Sequence, residues 1–560
     1  MTGDSRIVDP IKTSAGLIRP MPPMPHRLRP VLAIVVTLAA CSHTPPARGP
    51  EPQAPKAAGA DEPIGGAGSG EDITSMVRRW SEGAAPPTSF RPGHVTPRTL
   101  DAQAIERTGS GFRVTFPSHA PITTPAVHDG RVLVSGGFHG KEVYAFDARS
   151  GALAWALNLD DDGPSAPACE DRVCVFNTES CTIFAVDIRN GELLWSAWLG
   201  DPLMSAPAIA GGIVYAAYPA SGGSGPAQIS NAQQMNQLPL QQANQAPVAQ
   251  SNQVQPNAGA QGAAPAEATH ALAAFDLHTG KVKWARWIDG DVISSPVVSG
   301  GSVVAASQGG TVFVFDAQTG EVRSARRSRA TSAPIVVGRD LFYTRRSDKD
   351  GKAAESITRE GSRTYVTAGK RALYIDSTVQ SASKLAGQAQ SLDAQNGFGA
   401  GAPASANAGK AFANIGQLSV SSLQTFQGSR LLRVGSAQVN VMGDEVVCTN
   451  AEDGKEQWRH KLTGDLSASG GSLGAPPAAA GGSLFVATLG GEVLRFDAKS
   501  GAVQARHALG APVRSQPVVE GGMLYVGTDD GKLVAIDLGD ARFTGWPQWG
   551  GNAARTGVPR

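Results

Sequence analysis

One phrase returns along this 560-residue chain in worn spellings, and it constrains the fold more than any other feature. It reads AFDARSGALAW at Ala145–Trp155, AVDIRNGELLW at Ala185–Trp195 and AFDLHTGKVKW at Ala274–Trp284. Later copies are VFDAQTGEVRS (Val314–Ser324), CTNAEDGKEQW (Cys448–Trp458), RFDAKSGAVQA (Arg495–Ala505) and the shorter AIDLGD (Ala535–Asp540). Each copy opens on an apolar run of strand length, passes an Asp and a few small or polar residues, and reaches a Gly. The turn aspartates are Asp147, Asp187, Asp276, Asp316, Asp497 and Asp537; the glycines are Gly151, Gly191, Gly280, Gly320, Gly454 and Gly501. Asp accepts bonds from its own downstream backbone and Gly takes positive φ, so the phrase is a hairpin turn. The strand after it ends in Trp155, Trp195, Trp284 or Trp458. One Trp at a fixed place per repeat is expected to pack between neighbouring units rather than mark four ligand sites.

A second landmark precedes the phrase: Ser/Thr-x-Pro, an apolar pair, a Gly-rich turn and another apolar run. Examples are TTPAVHDGRVLV (Thr123–Val134), SSPVVSGGSVVA (Ser294–Ala305) and SQPVVEGGMLYV (Ser515–Val526). The intervals Pro167–Asp187, Pro296–Asp316, Pro477–Asp497 and Pro517–Asp537 are each 20 residues, and successive aspartates such as Asp147 and Asp187 are 40 apart. Four short strands per roughly 40 residues describe a β-propeller blade. Seven landmarks are plain: Pro125, Pro167, Pro207, Pro296, Pro334, Pro477 and Pro517. A degenerate eighth runs from Ser422 to Asn450, with Gln424 in the place of Pro. Blade five then finishes in Ser356–Tyr365. The expected fold is an all-β, eight-bladed propeller of four-stranded antiparallel blades, with seven blades as the alternative. The last copy lacks an outer strand and Gly111–Pro117 is a strand without a blade, so pairing the two closes the ring.

These landmarks, over about residues 110–558, resemble the pyrroloquinoline-quinone-type β-propeller repeats. Within them they are most similar to the BamB family, lipoproteins of the outer-membrane β-barrel assembly machinery. The tail from Trp546-Pro547-Gln548-Trp549 to Arg555-Thr556-Gly557 also looks like a terminal segment of the family. The repeats specify the fold far better than the function.

The ends fit that resemblance. Arg27 and Arg29 precede a ten-residue apolar run, Val31–Ala40, too short for a mature membrane span but suited to a signal peptide. It ends Leu38-Ala39-Ala40-Cys41, similar to a bacterial lipobox. The resemblance implies cleavage before Cys41, lipidation of Cys41 and, with Ser42 following, delivery to the outer membrane facing the periplasm. An ordinary secretory signal is the alternative, and Met21 or Met24 are alternative starts. Residues 1–40 are thus read as signal peptide, 41–109 as a Pro/Ala/Gly-rich tether and 110–560 as the propeller. Within the tether, Ile73–Trp80 reads as a short docking segment. Low-complexity inserts interrupt the ring at about 220–269 and 368–418, the first rich in Gln, Asn and Ala.

Hydrophobic residues make up 41% of the chain and charged ones 17%, enough for a sizeable core, and a net charge of +1 gives no electrostatic case for nucleic acid. In SAPACEDRVCVF, alignment with SQPVVEGGMLYV sets Cys169 across the hairpin from Cys174, where side chains approach most closely. A disulfide is expected in an oxidising periplasm; the alternatives are two buried thiols, or Cys181 as partner. Cys448 reads as core.

Related propellers are quinone-dependent dehydrogenases, which need calcium held by clustered oxygens and a central carboxylate. The repeating aspartates occupy turn slots, Asp160–Asp162 reads as a solvated loop, and no Cys-Cys pair occurs, so no catalytic residue, metal or cofactor is expected. A binding scaffold for outer-membrane assembly or other envelope proteins is the preferred reading, with an exposed blade edge templating strands. Other envelope or cell-wall binding and a quinone–calcium dehydrogenase are the alternatives. The best surface signal is basic: Arg323, Arg326, Arg327, Arg329, Arg345 and Arg346. Its bland counterpart is a solvated rim balanced by Asp348 and Asp350.

Overall fold

The computed structural model describes residues 70–178, 182–199, 205–220, 267–338, 340–349, 352–360, 365–366, 371–372, 414, 431–465 and 472–559. The signal peptide, Cys41, the first part of the tether, Cys181, Gln424 and most of both inserts lie outside the described residues. The chain forms eight antiparallel sheets, one per repeat, as an eight-bladed propeller.

The repeat explains each blade. Pro ends the incoming loop, and a three-residue inner strand follows, as in Ala126–His128, Ala168–Glu170, Ala208–Ala210, Val297–Ser299 and Val518–Glu520. A two-residue turn then leads into the second strand; in blade eight Glu520 pairs with Met523 across Gly521-Gly522. The recurring phrase joins the third and outer strands. Its register slips once in each of six blades, between Ala145 and Phe146, Ala185 and Val186, Ala274 and Phe275, Val314 and Phe315, Cys448 and Thr449, and Arg495 and Phe496. These bulges add local twist and aim the residue beside them at the next blade.

The degenerate repeat is blade six, built from Leu431–Val434, Ala437–Met442, Glu445–Asn450 and Glu456–Lys461. Its first turn pairs Val434 with Ala437, which puts Leu431, not Gln424, in the place of Pro. Without Pro, nothing local marks the start of this inner strand, which lies seven residues beyond Gln424. Blade five closes with Tyr365–Val366 against Thr358 and Arg359.

Blade eight is completed from the other end of the chain. Gly111–Thr115 pairs with Lys532–Asp537, placing Phe112 opposite Ala535. Trp155, Trp195 and Trp284 stand opposite Ala145, Ala185 and Ala274 in the same way, so Phe112 fills the Trp position of this blade. Ile105–Thr108 adds a fifth strand outside it.

The segment before it, read above as distal tether, is docked on the ring. Glu71–Asp72 pairs with the outer strand of blade four, and helix Thr74–Glu82 buries Val77 and Trp80. Ile73, Val77 and Trp80 fall one helical turn apart and share one apolar face, which is why this stretch folds onto the ring. The chain then runs backwards over the blades. Trp287 of blade three donates to the Ala84 carbonyl, Trp198 of blade two to Arg91, and Val95–Pro97 pairs with Leu157–Leu159 of blade one. Residues 70–115 thus form an outer belt over blades four, three, two, one and eight. No helix among the described residues is long and apolar enough to cross a membrane.

Candidate functional site: the blade joints, the centre and the rim

The phrase builds the joint between blades. Asp147 Oδ1 accepts from Ser150 N at 2.8 Å and Asp316 Oδ1 from Thr319 N at 2.9 Å, and the same bond recurs at Asp276 and Asp497. At Asp187 the donors are Arg189 N and its guanidinium. Gly151, Gly191, Gly280, Gly320, Gly454 and Gly501 each donate N–H back to the residue four before, at 2.8–2.9 Å. Asn450 fills the Asp slot of blade six, accepting from Glu452 N, and Asp537 accepts from Gly539 N. Amide donors aimed at a carboxylate stabilise its ionised form. The Thr319 N–H foremost pulls the Asp316 carboxyl down to about 2, and turn donors hold Asp147, Asp276 and Asp497 below the usual range.

The Trp of one blade sits on the turn of the next. The Nε1 of Trp155, Trp195, Trp284 and Trp458 donates to the carbonyls of Ile188, Leu277, Ala317 and Ala498 at 2.8, 2.7, 3.0 and 3.2 Å. A Cβ on Gly191, Gly280, Gly320 or Gly501 would stand 2.5–2.8 Å from that indole. These residues therefore hold the ring together, and their chemistry is spent on that contact.

The centre is lined by the C-terminal tail, which makes an inner lap. In five blades the middle residue of the inner strand donates its N–H to it: Val519 to Trp546 O, Val127 to Pro547 O, Cys169 to the Gln548 side chain, Ile209 to Ala553 O and Val298 to Ala554 O. In blade six Arg433 donates to Gly557 O. Inner strands would otherwise present unpaired edges to the channel. Arg555 is buried in this lap, donating to the carbonyls of Pro207, Trp549 and Ala166 at 3.1, 2.8 and 3.0 Å, with its guanidinium 5.1 Å from the Trp549 ring. Burial alone pulls its pKa down to about 9, so it is still a cation at neutral pH.

Cys169 and Cys174 are cross-strand partners in blade two and form a disulfide. Cys448 is a buried free thiol whose pKa burial pushes up to about 12. Asp161 of the acidic run is buried and accepts from the Thr178 and Thr182 hydroxyls, both at 2.6 Å; Asp162 meets Lys141 at 3.1 Å. That run stitches a loop rather than facing solvent throughout.

The basic residues of blades four and five meet acids of their own chain. Arg327 lies 2.8 Å from Glu71 and 2.7 Å from Glu267, Arg326 lies 4.0 Å from Asp72, and Arg323 lies 2.6 Å from Asp316. Arg326 and Arg345 also pull against the burial that raises the pKa of Glu360, which accepts from Tyr343 and Ser328. Arg329 takes a φ of +55° in the connection to blade five, and its carbonyl accepts from Arg346 N. Arg346 stands opposite Glu355. Glu71 and Asp72 were not singled out from the sequence; their place in front of the apolar spacing Ile73–Val77–Trp80 was the available signal.

A sequence model of a family described as "Outer membrane protein assembly factor BamB" matches residues 102–326, 261–397 and 442–552. No curated protein matches the chain. Among solved structures, BamB from Moraxella catarrhalis is 15% identical, with 79% of this chain and 97% of that one covered at a TM-score of 0.43. The computationally designed Ika8 protein is 13% identical (76% and 98% covered, TM-score 0.46), and Sqt1 from Saccharomyces cerevisiae 8% (75% and 96%, TM-score 0.46).

Proposed function

The chain belongs to the BamB family, and we infer from this membership that it is a protein-binding scaffold of the bacterial envelope. In its full form the proposal is a lipoprotein held by Cys41 at the periplasmic face of the outer membrane, accessory to the insertion of β-barrel proteins. The observation that carries it is the match of the family's sequence model over most of the ring. The architecture agrees with a scaffold: the repeat residues are consumed in blade joints, and loops and rims remain for partners. Residues 1–40 are the proposed signal peptide and the part of 41–69 after Cys41 the proposed tether. A multiply acylated Cys anchors firmly, because each buried methylene contributes about 0.8 kcal/mol.

A quinone–calcium site does not fit this centre. Calcium needs several clustered oxygen ligands, and among the described residues no three His, Cys, Asp or Glu side chains converge. The inner lap instead places the Arg555 cation among the carbonyls there.

Membrane fractionation tests the anchoring. The intact chain should sediment with the outer membrane and a Cys41→Ala chain should not; equal distribution of the two would end the lipoprotein reading. Dye-linked oxidation with added pyrroloquinoline quinone and calcium tests the enzyme alternative, and turnover above the protein-free rate would favour it.

A further inference from the structure

The belt reveals which position on a blade rim receives another strand. In blade one, Arg98 N donates to the carbonyl of Ala156, the residue after Trp155. In blade four, Ile73 N donates to the carbonyl of Ala325, and Ala325 N donates to the Thr74 hydroxyl at 3.0 Å. Ala325 follows Ser324, the residue in the Trp position of that blade. In blade two the corresponding residue is Ser196, whose hydroxyl accepts from Gly93 N at 2.8 Å and donates to Gly93 O at 2.9 Å. Three rims are therefore closed at one equivalent position by one segment of the same chain.

The counterpart in blade seven is Arg506, after Ala505. Its strand, Val503–Ala508, is the last of a four-stranded sheet, and its residues alternate between half-buried and exposed. Leu509 N donates inward to Gly491 O, so alternation turns the peptide N–H groups of Arg506 and Ala508 outward, on the C-terminal side of the bulge at Gln504. No described residue pairs with them. A regular edge of this kind accepts an added strand. The outer strand of blade six, Glu456–Lys461, is also last in its sheet but carries Glu456; the blade-seven strand contains Arg506 and His507 and no acid, and Arg506 meets Glu492 of the adjacent strand at 2.8 Å. Where the belt closes blade four it brings Glu71 and Asp72 to Arg327 and Arg326, the same pairing of acidic strand with basic rim.

We propose that the outer edge of blade seven, Val503–Ala508, is the strand-accepting surface of this ring, taking an extended, acid-bearing segment of another protein, and that residues 70–98 are a built-in occupant that withholds the rims of blades one, two and four. This deepens the scaffold reading and rests on it. Strand addition here runs antiparallel to Val503–Ala508 and is centred on Arg506.

The probe is a fluorescent hexapeptide of alternating valine and threonine with a central glutamate, added to the full chain. Saturable binding with new hydrogen-exchange protection at Arg506 and Ala508 is expected. Arg506→Pro removes the outward donor while leaving the inward ladder intact, and should weaken binding about tenfold. If that variant melts earlier than the parent, Arg506→Glu keeps the backbone donor, reverses the charge and should also weaken the peptide about tenfold. Loosening the belt with Trp80→Asp should add protection at Ala325. The proposal is overturned if affinity ignores both Arg506 variants, if protection falls on another blade of the parent chain, or if Arg506→Pro only dissolves a self-dimer, which would make the occupant a second copy. The scaffold reading fails separately, if the parent chain recovers no outer-membrane β-barrel assembly protein from solubilised membranes whatever the peptide does.

Discussion

The indole of Trp155 in blade one lies against Gly191 in blade two, and its Nε1 donates to the carbonyl of Ile188 at 2.8 Å. Gly191 has a φ of +74°, and a Cβ there would stand 2.8 Å from the indole. Two constraints therefore select Gly, backbone conformation and contact. Gly300 isolates the first, with a φ of +55° and open space around a Cβ. Gly300→Ala should cost about 1–2 kcal/mol, and Gly191→Ala about 1–3 kcal/mol more. Thermal midpoints of the two variants measure the difference; equal shifts would contradict the joint.

Trp155→Phe keeps an aromatic ring and leaves the buried Ile188 carbonyl without its donor, which should cost about 1–3 kcal/mol. Trp155→Ala also empties the space between blades and should cost about 3–5 kcal/mol. Chemical denaturation midpoints should follow that order.

Arg555→Met removes a buried cation and strands the carbonyls of Pro207, Trp549 and Ala166 together. The tail should then loosen, with faster hydrogen exchange at the amides it closes, Ile209 and Val298. Unchanged exchange there would show that the tail does not depend on this side chain.

Acid should weaken the ring. A carboxylate whose pKa is lower folded than unfolded contributes stability above the unfolded value, about 3.9 for Asp. That stability is lost as pH falls through the folded value, about 2 for Asp316, and Asp147, Asp276 and Asp497 are shifted the same way. Burial raises Glu360 and Asp529 instead, which opposes the trend. Unfolding midpoints should decline between about pH 4 and pH 2, and Asp316→Asn should make the decline shallower.

Cys448 is buried, and its thiol is pushed up to about 12 by desolvation, so little reactive thiolate exists at neutral pH. Peptide mapping after iodoacetamide should find Cys448 unlabelled in the folded chain and labelled in denaturant. Cys169→Ser with Cys174→Ser should lower stability by about 2 kcal/mol, modestly because the closed loop is short.

The ring was legible because its period is carried by side chains whose chemistry is local: Pro before the inner strand, Asp and Gly in the turn, Trp after it. Counting those marks gives seven plain blades and a degenerate eighth, and leaves Gly111–Pro117 to fill the gap of the last one. The start of blade six was misplaced because Leu431 carries no such mark. The belt and the inner lap were illegible for a different reason. Arg98 meets Ala156, and Val127 meets Pro547, through backbone groups that every residue possesses. Likewise nothing local in the arginine-rich stretch shows that Arg326 and Arg327 meet Asp72 and Glu71, some 250 residues away in sequence. The tail drew attention only through its likeness to a family segment.

The scaffold account is tested most directly by affinity purification of the full chain from detergent-solubilised outer membranes, with recovered proteins identified by mass spectrometry. The account predicts specific recovery of an outer-membrane β-barrel assembly protein, reduced by Arg506→Pro. Recovery of cell-wall or unrelated envelope components alone, or of nothing beyond a control lipoprotein, would contradict it.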